Sequence, residues 1–226
     1  MTDQVLEGLE DGARALREFY GDSGLTDRIA ALESDFCDSD AERCSQLIGE
    51  EHVNTSVLRA ALLLKEAAGR VNVVVHAVGV LLSLPHILDP GERVQSLSLG
   101  AGNTGKDFDL ETDRRVAEFK FARWRPKANT IRQNQVFKDF FYLAEYEGSK
   151  RRSLYVVDKA RPIAFLQKSG RAINSVTTRN LALRGDFEMR YGSRYRVVRE
   201  YYEAVRDRVQ IVDLLDIAPI FQQFEA

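Results

Sequence analysis

Between Lys106 and Phe121 the chain alternates between apolar and charged residues in two runs, with only three residues between them. In the first run Phe108 and Leu110 alternate with Asp107, Asp109 and Glu111; in the second Ala117, Phe119 and Phe121 alternate with Glu118 and Lys120. A period of two belongs to strands with one greasy and one charged side. So short a connection makes them an antiparallel hairpin, because a parallel return needs about a dozen residues. With the turn centred on Asp113 and Arg114, residues whose numbers sum to 227 face one another. Asp109 then lies opposite Glu118 and Asp107 opposite Lys120, the side chains of each pair about 5 Å apart on one face. The alternation predicts strands over Lys106 to Thr112 and Val116 to Phe121, with Phe108, Leu110, Phe119 and Phe121 on the other face.

Helical spacing marks Val5, Leu9, Ala13 and Leu16 from Thr2 to about Phe19, and Leu25, Ile29 and Leu32 in a second helix. A long helix follows from about Asn54. Val57, Ala61, Leu64 and Ala68 form one stripe and Val71, Val74, Val75, Val78 and Leu82 the next; Asn54 or Thr55 caps it and Pro85 ends it. Ser96 to Leu99 alternates as a strand. Gly100 to Gly105 reads as a turn, because it lacks the Gly-Lys-Ser/Thr ending of a phosphate-binding loop. After Pro126, the stripe of Phe137, Phe140, Phe141 and Ala144 predicts a helix from Thr130 to Glu147, which Gly148 stops. Ser153 to Val157 reads as a strand, Pro162 opens a helix, Tyr195 to Val205 forms an amphipathic helix, and Val209 to Ile217 is a strand or a helix. The order helix, strand, strand, strand, helix, strand predicts an α/β fold with a mixed central β-sheet flanked by helices. The acidic helices at the start form a helical N-terminal subdomain over residues 1–52, and residues 53–226 form the main domain.

With 226 residues, 44% hydrophobic and 29% charged, the chain has the composition of an ordinary globular protein, not a disordered or fibrous one. Cys37 and Cys44 stand alone, without nearby histidines, and fit neither a disulfide framework nor a zinc site. Val71 to Leu84 is apolar apart from Asn72, His76 and Ser83. It is shorter than the roughly 20 residues a bilayer requires, which predicts a buried core helix and no membrane partner. The opening Met-Thr-Asp-Gln lacks the order of a secretory signal, so a cytoplasmic location is expected. A net charge of −2 conceals an asymmetry: the first 60 residues hold 5 Lys/Arg against 14 Asp/Glu, and residues 113–206 hold 22 against 10. The basic half is either a solvated face or a surface that binds nucleic acid by releasing condensed counterions. Arg123, Arg125, Lys127, Arg132 and Lys138 are the expected contacts.

Two facing carboxylates repel unless a cation lies between them, and hard oxygen ligands suit Mg²⁺ or Mn²⁺. A metal held by Asp109 and Glu118 could lower the pKa of a bound water and offset charge on a phosphate, while Lys120 positions the water or contacts phosphoryl oxygens. The pattern alone is equally that of a solvent-facing hairpin with cross-strand ion pairs.

Lys106-Asp107-Phe108-Asp109-Leu110 followed by Val116-Ala117-Glu118-Phe119-Lys120-Phe121 resembles the PD-(D/E)XK, or restriction-endonuclease-like, nuclease superfamily. Its members place an Asp on one strand and a Glu-X-Lys tripeptide on the next, in a core of a helix, three strands, a helix and a strand. The run from Gly100 to Phe121 also resembles a family of uncharacterised bacterial proteins. The resemblance implies a restriction-endonuclease-like core within residues 53–226 and metal-dependent hydrolysis of DNA or RNA with Mg²⁺ or Mn²⁺. Asp109, Glu118 and Lys120 would be catalytic. Asp109 and Glu118 would hold the metal, with the main-chain carbonyl of Phe119 as an optional third ligand and Glu66 as an acid from the preceding helix; Glu50 and Glu51 lie near Glu66. Phe108 stands where many members have Pro. The Gln-X-X-X-Tyr signature of RecB-like exonucleases is missing, since Gln133 is followed by Phe137 and Gln135 by Asp139.

Two rival readings remain beside it. One is a catalytically silent protein of the same fold that binds nucleic acid or an acidic protein partner. The other is a structural domain whose acidic and basic halves pair, within the chain or between subunits, which leaves a homo-oligomer open. His76, set among valines, reads as a satisfied core histidine. Trp124 with Arg123 and Arg125 either stacks on a base or caps the core.

The hairpin register separates the two aspartates. Asp107→Asn is expected to keep most Mn²⁺ affinity, and Asp109→Asn to lose it, because an amide cannot replace the charge at a hard-cation site. Calorimetric titration of Mn²⁺ into both variants checks this, and the reverse outcome would move the metal two residues toward the N-terminus.

Overall fold

The computed structural model describes residues 3–20, 25–37, 39–50, 53–100, 107–124, 130–217 and 221. By its contacts the chain divides into two compact units, Met1–Asn72 and Val73–Ala226, with the division inside a helix. The first unit holds α1 (Asp3–Tyr20), α2 (Leu25–Phe36), α3 (Ala41–Glu50) and the first half of α4 (Thr55–Ile87). Its described core is thin: Leu47 and Ala60 are the buried apolar side chains.

Asn54 caps α4, its Oδ1 accepting the main-chain N–H groups of Ser56 at 3.0 Å and Val57 at 3.1 Å. Pro85 does not end the helix but sits in its last turn. It removes one N–H there, while Leu88 still donates to the carbonyl of Leu84 at 3.1 Å. The expectation of a buried core helix over Val71 to Leu84 holds for one side only. Val80 and Ser83 are fully buried, whereas Val71, Val74, Val75, Val78, Leu81 and Leu82 are 39–58% exposed. Among the described residues α4 is the one helix long and apolar enough to cross a membrane.

In the second unit, β1 (Val94–Leu97), β2 (Leu110–Thr112), β3 (Arg115–Lys120), β4 (Arg151–Val156) and β5 (Gln210–Asp213) form one mixed sheet in chain order. β1, β2 and β3 pair antiparallel, and β3, β4 and β5 pair parallel. Helix α5 (Thr130–Ala144) carries the chain from β3 to β4, so the order helix, strand, strand, strand, helix, strand is present from α4 to β4. Between β4 and β5 run α6 (Ala160–Lys168), α7 (Ile173–Thr177), α8 (Leu181–Tyr191) and α9 (Val198–Val205). The ambiguous stretch Val209 to Ile217 is both things, β5 followed by α10 (Leu214–Ile217). Asp213 makes the switch: its carboxylate accepts N–H groups from Leu215 and from Lys159 at the start of α6, at 3.0 and 2.8 Å.

Alternation along β3 sends its side chains into two cores. Val116, with Leu154 and Val156 of β4, packs under α5 against an aromatic cluster of Phe137, Phe140, Phe141, Phe187 and Tyr201. Leu110, Ala117, Phe119 and Tyr155 face the other way, toward Val80 and Ile87 of α4 and Leu214 of α10. A β-carbon at Gly79 would lie 2.6 Å from the Phe121 ring, so the glycine is what lets that ring lie against α4.

At the start of β3, Arg115 is buried and donates to both oxygens of Glu92, Nε to Oε1 at 2.6 Å and Nη2 to Oε2 at 2.5 Å, while its Nη1 donates to Tyr155 at 2.6 Å. Burial opposes ionisation of Glu92, but Arg115 and the Thr112 hydroxyl outweigh it and hold the carboxyl at about 2, below its ordinary 4.5. The stabilisation is therefore complete above pH 4.5 and is lost as the pH falls toward 2. Glu92→Gln, which strands a buried guanidinium, is expected to cost about 3 kcal/mol or more at pH 7. Urea unfolding at pH 7 and pH 3 checks both points, the variant showing the smaller loss on acidification.

Candidate functional site

The register read from the sequence is the one observed: Leu110 pairs with Ala117 and Glu111 with Val116. Asp109 is thereby brought to Glu118, and its Oδ2 accepts the main-chain N–H of Phe119 at 2.9 Å. The strand is shorter than expected, however. Regular pairing begins at Leu110, and residues 107–109 form a bend, while Lys106 lies outside the described residues. In that bend Phe108 turns away from Leu110 and meets Tyr146 edge to face, with ring centroids 5.7 Å apart. Asp107 is exposed and does not neutralise Lys120.

Lys120 is held instead by two other acids. Its Nζ lies 2.8 Å from Asp139 Oδ2 and 3.5 Å from Glu118 Oε2. Asp139, on α5, is buried at the edge of the aromatic stripe, and Lys138 reaches its other oxygen at 3.9 Å. On the far side, His76 Nε2 lies 3.2 Å from Asp109 Oδ1 and 3.3 Å from the carbonyl of Ser98. His76 is thus satisfied, as expected, but by Asp109, so it belongs to the site. Neither His76 nor Asp139 was expected here. The signal for Asp139 was a lone acid within the run Val136 to Phe141; for His76 it was a lone imidazole amid valines.

Three carboxylates thus crowd one lysine and one histidine. Burial, followed by the charges of Asp139 and Asp109, pushes the Glu118 carboxyl up to about 9 despite the opposing effect of Lys120. For Asp109 burial acts upward too, but hydrogen bonding from His76, the charge of Lys120 and the Phe119 N–H hold it below its ordinary value. His76 is raised by its bond to Asp109 against the cost of burial. Lys120 is likewise raised, because Asp139, Glu118 and Asp109 outweigh its desolvation. These shifts favour the ionised form of Asp109 and the ammonium of Lys120, and they favour the neutral acid at Glu118.

Asp109 and Glu118 can hold a hard cation together, and a further positive charge is what a crowd of acids lacks. Among the described residues no three His, Cys, Asp or Glu side chains stand together at ligating spacing. A Mg²⁺ ion, however, is commonly bound by one or two carboxylates with water and substrate oxygens completing the shell. Glu66 lies on α4 in the first unit, and its side chain is outside the described residues, as is Glu51. Glu50 pairs with Arg43 at 3.3 Å.

Of the basic residues, Arg125 and Lys127 lie outside the described residues. Arg123 is exposed just past β3, and Lys138 is exposed beside Asp139. Arg132 shares the helical stripe of Asp139, seven residues earlier, and its Nε is buried without a hydrogen-bond partner. Trp124 is buried against Phe165, which assigns it to the core.

No family model, curated protein or solved structure matches this chain.

A neutral Glu118 has a thermodynamic signature. Its folded value of about 9 exceeds the ordinary 4.5, so folding stability falls as the pH rises between them. Glu118→Gln is expected to remove that slope and to melt no lower than the parent at pH 8. Lys120→Met, which takes from buried Asp139 its closer cation and leaves Lys138 at 3.9 Å, is expected to lose about 3 kcal/mol. Calorimetric melting from pH 5 to pH 9 checks the pair, and equal destabilisation by both substitutions would show Glu118 to be ionised.

Proposed function

We propose that this protein is a metal-dependent nuclease that hydrolyses phosphodiester bonds of DNA or RNA. The observation that carries the reading is the crowding of carboxylates around Lys120, whose Nζ lies 2.8 Å from Asp139 and 3.5 Å from Glu118, with Asp109 beside them held by the Phe119 N–H. A plain structural core has no use for such a group, because burying an uncompensated carboxyl costs stability. The element order from α4 to β4, with the acids and the lysine on the central hairpin, also supports a restriction-endonuclease-like core.

Asp109 and Glu118 would hold Mg²⁺ or Mn²⁺, with the main-chain carbonyl of Phe119 beside them, and the ion when bound would acidify water and draw charge from a phosphoryl oxygen. The chain's own groups do the rest. Lys120 stays charged in a largely buried setting, where an ammonium stabilises developing negative charge more strongly than it would in water. Asp139 is a positioning residue that fixes the lysine rotamer, and His76 does the same for Asp109.

Incubation of the protein with labelled DNA and RNA in Mn²⁺ or in chelator tests the reading. Cleavage is expected only with metal and is expected to fall at least about 100-fold in Asp109→Ala, Glu118→Ala and Lys120→Ala. Asp139→Asn is expected to slow cleavage while lowering the pH above which activity declines, because Lys120 loses the carboxylate that keeps it protonated. Full activity in chelator or in Glu118→Ala would overturn the proposal. Metal-independent binding of nucleic acid without cleavage would leave the silent-protein reading in its place.

A further inference from the structure

One face of α5 carries Ile131, Asn134, Gln135 and Lys138 at helical spacing, directly beside the stripe that presents Asp139. Opposite this face stand α7 and the start of α8, and between them lies a cleft of about 210 Å³. Its floor is apolar, formed with Val176 and Leu183, and its rim is polar, with Asn134, Gln135, Lys138 and Arg179. None of the residues expected from the sequence, apart from Lys138, belongs to it.

Three features of the cleft point to one kind of occupant. The volume is below the roughly 300 Å³ at which drug-sized pockets begin, and it suits a single planar ring. Two cations lie at the rim: Lys138 meets Asp139 only at 3.9 Å, and Arg179 is exposed and has no acidic partner among the described residues. The amides of Asn134 and Gln135 supply edge-reading groups. Ile131, 63% exposed, offers a flat apolar surface at the mouth. An apolar floor, amide donors and acceptors, and paired cations together match an unstacked nucleobase with its phosphate.

We infer that this cleft binds one unstacked nucleotide of a single-stranded nucleic acid, with the base against Ile131 and the flanking phosphate on Lys138 and Arg179. The inference rests on the nuclease reading for its purpose, since Lys138 links the cleft to the Lys120–Asp139 pair, but not for its test. A base paired in a duplex presents only an edge and cannot enter. The site accordingly selects single strands or splayed ends.

The test uses the full-length Glu118→Gln protein without added metal, so that cleavage plays no part. Fluorescence anisotropy with a labelled oligothymidylate and with a blunt duplex of equal length is expected to show at least about tenfold preference for the single strand. Arg179→Glu and Lys138→Glu, both at exposed positions, are each expected to weaken single-strand binding about tenfold with unchanged melting temperature. Thymidine 5′-monophosphate is expected to shift the backbone amide resonances of Ile131, Asn134 and Arg179 at concentrations where inorganic phosphate does not. Equal binding of duplex and single strand, undiminished binding by Arg179→Glu, or equal response to inorganic phosphate would overturn the inference. Cleft binding without metal-dependent cleavage by the parent protein would fail the nuclease reading alone; cleavage with an indifferent cleft would fail the inference alone.

Discussion

The pairing of Leu110 with Ala117 and of Glu111 with Val116 is the constraint on which the candidate site depends. Side chains along a strand alternate with a period of two, so a slip of one residue would exchange the occupants of the two cores. Glu118 and Lys120 would then point among Val80, Ile87 and Leu214, and Phe119 would enter the polar cluster. The slip is forbidden from both sides, by the apolar packing of Leu110, Ala117 and Phe119 and by the bond from the Phe119 N–H to Asp109. One interaction therefore sets both the register and the rotamer of a candidate ligand.

Electrostatics at the two ends of β3 differ in kind. At the Arg115 end a bidentate pair with Glu92 and a bond to Tyr155 satisfy the charges they bury. At the Lys120 end three carboxylates crowd together, and burial, with that crowding, pushes the Glu118 carboxyl up. The satisfied pair and the crowded acids are thus separated by the length of one strand, the arrangement expected if the proposed site is held on a rigid scaffold. The basic second half divides in the same way. Arg151 pairs with Asp89, Arg190 and Arg208 with Glu145, and Arg206 with Glu203, so part of the surplus read from the sequence serves the fold.

The hairpin, its register and the acid–acid–lysine set were legible because they depend on local alternation and a short turn. What lay beyond reach was tertiary. The bend at residues 107–109 arises because Phe108 finds Tyr146, 38 positions further along the chain. Asp139 carries no local mark apart from interrupting an aromatic stripe, and only the packing of α5 on β3 brings it to Lys120. His76 reaches Asp109 through the packing of α4 on the sheet, which Gly79 permits. Helices α7 and α8 were missed for another reason: the first has five residues, and the second leaves Leu181 and Met189 about 80% exposed, at 78% and 81%, so neither shows a clean stripe. The exposed face of α4 was misread because apolar periodicity reports what a helix could bury, not what covers it.

Placing the stabilising pair and the acid cluster at opposite ends of β3 has a consequence for mutational history. Substitutions at Glu118, Lys120 or Asp139 leave the Glu92–Arg115–Tyr155 anchor untouched, and several of them relieve repulsion instead of creating it. On the proposed function, a lineage descended from this chain would lose the hydrolysis and gain robustness in the same step. Silent descendants would then be recognised by an intact anchor beside a neutralised cluster, whereas decay of the fold itself would strike Glu92 and Arg115 first.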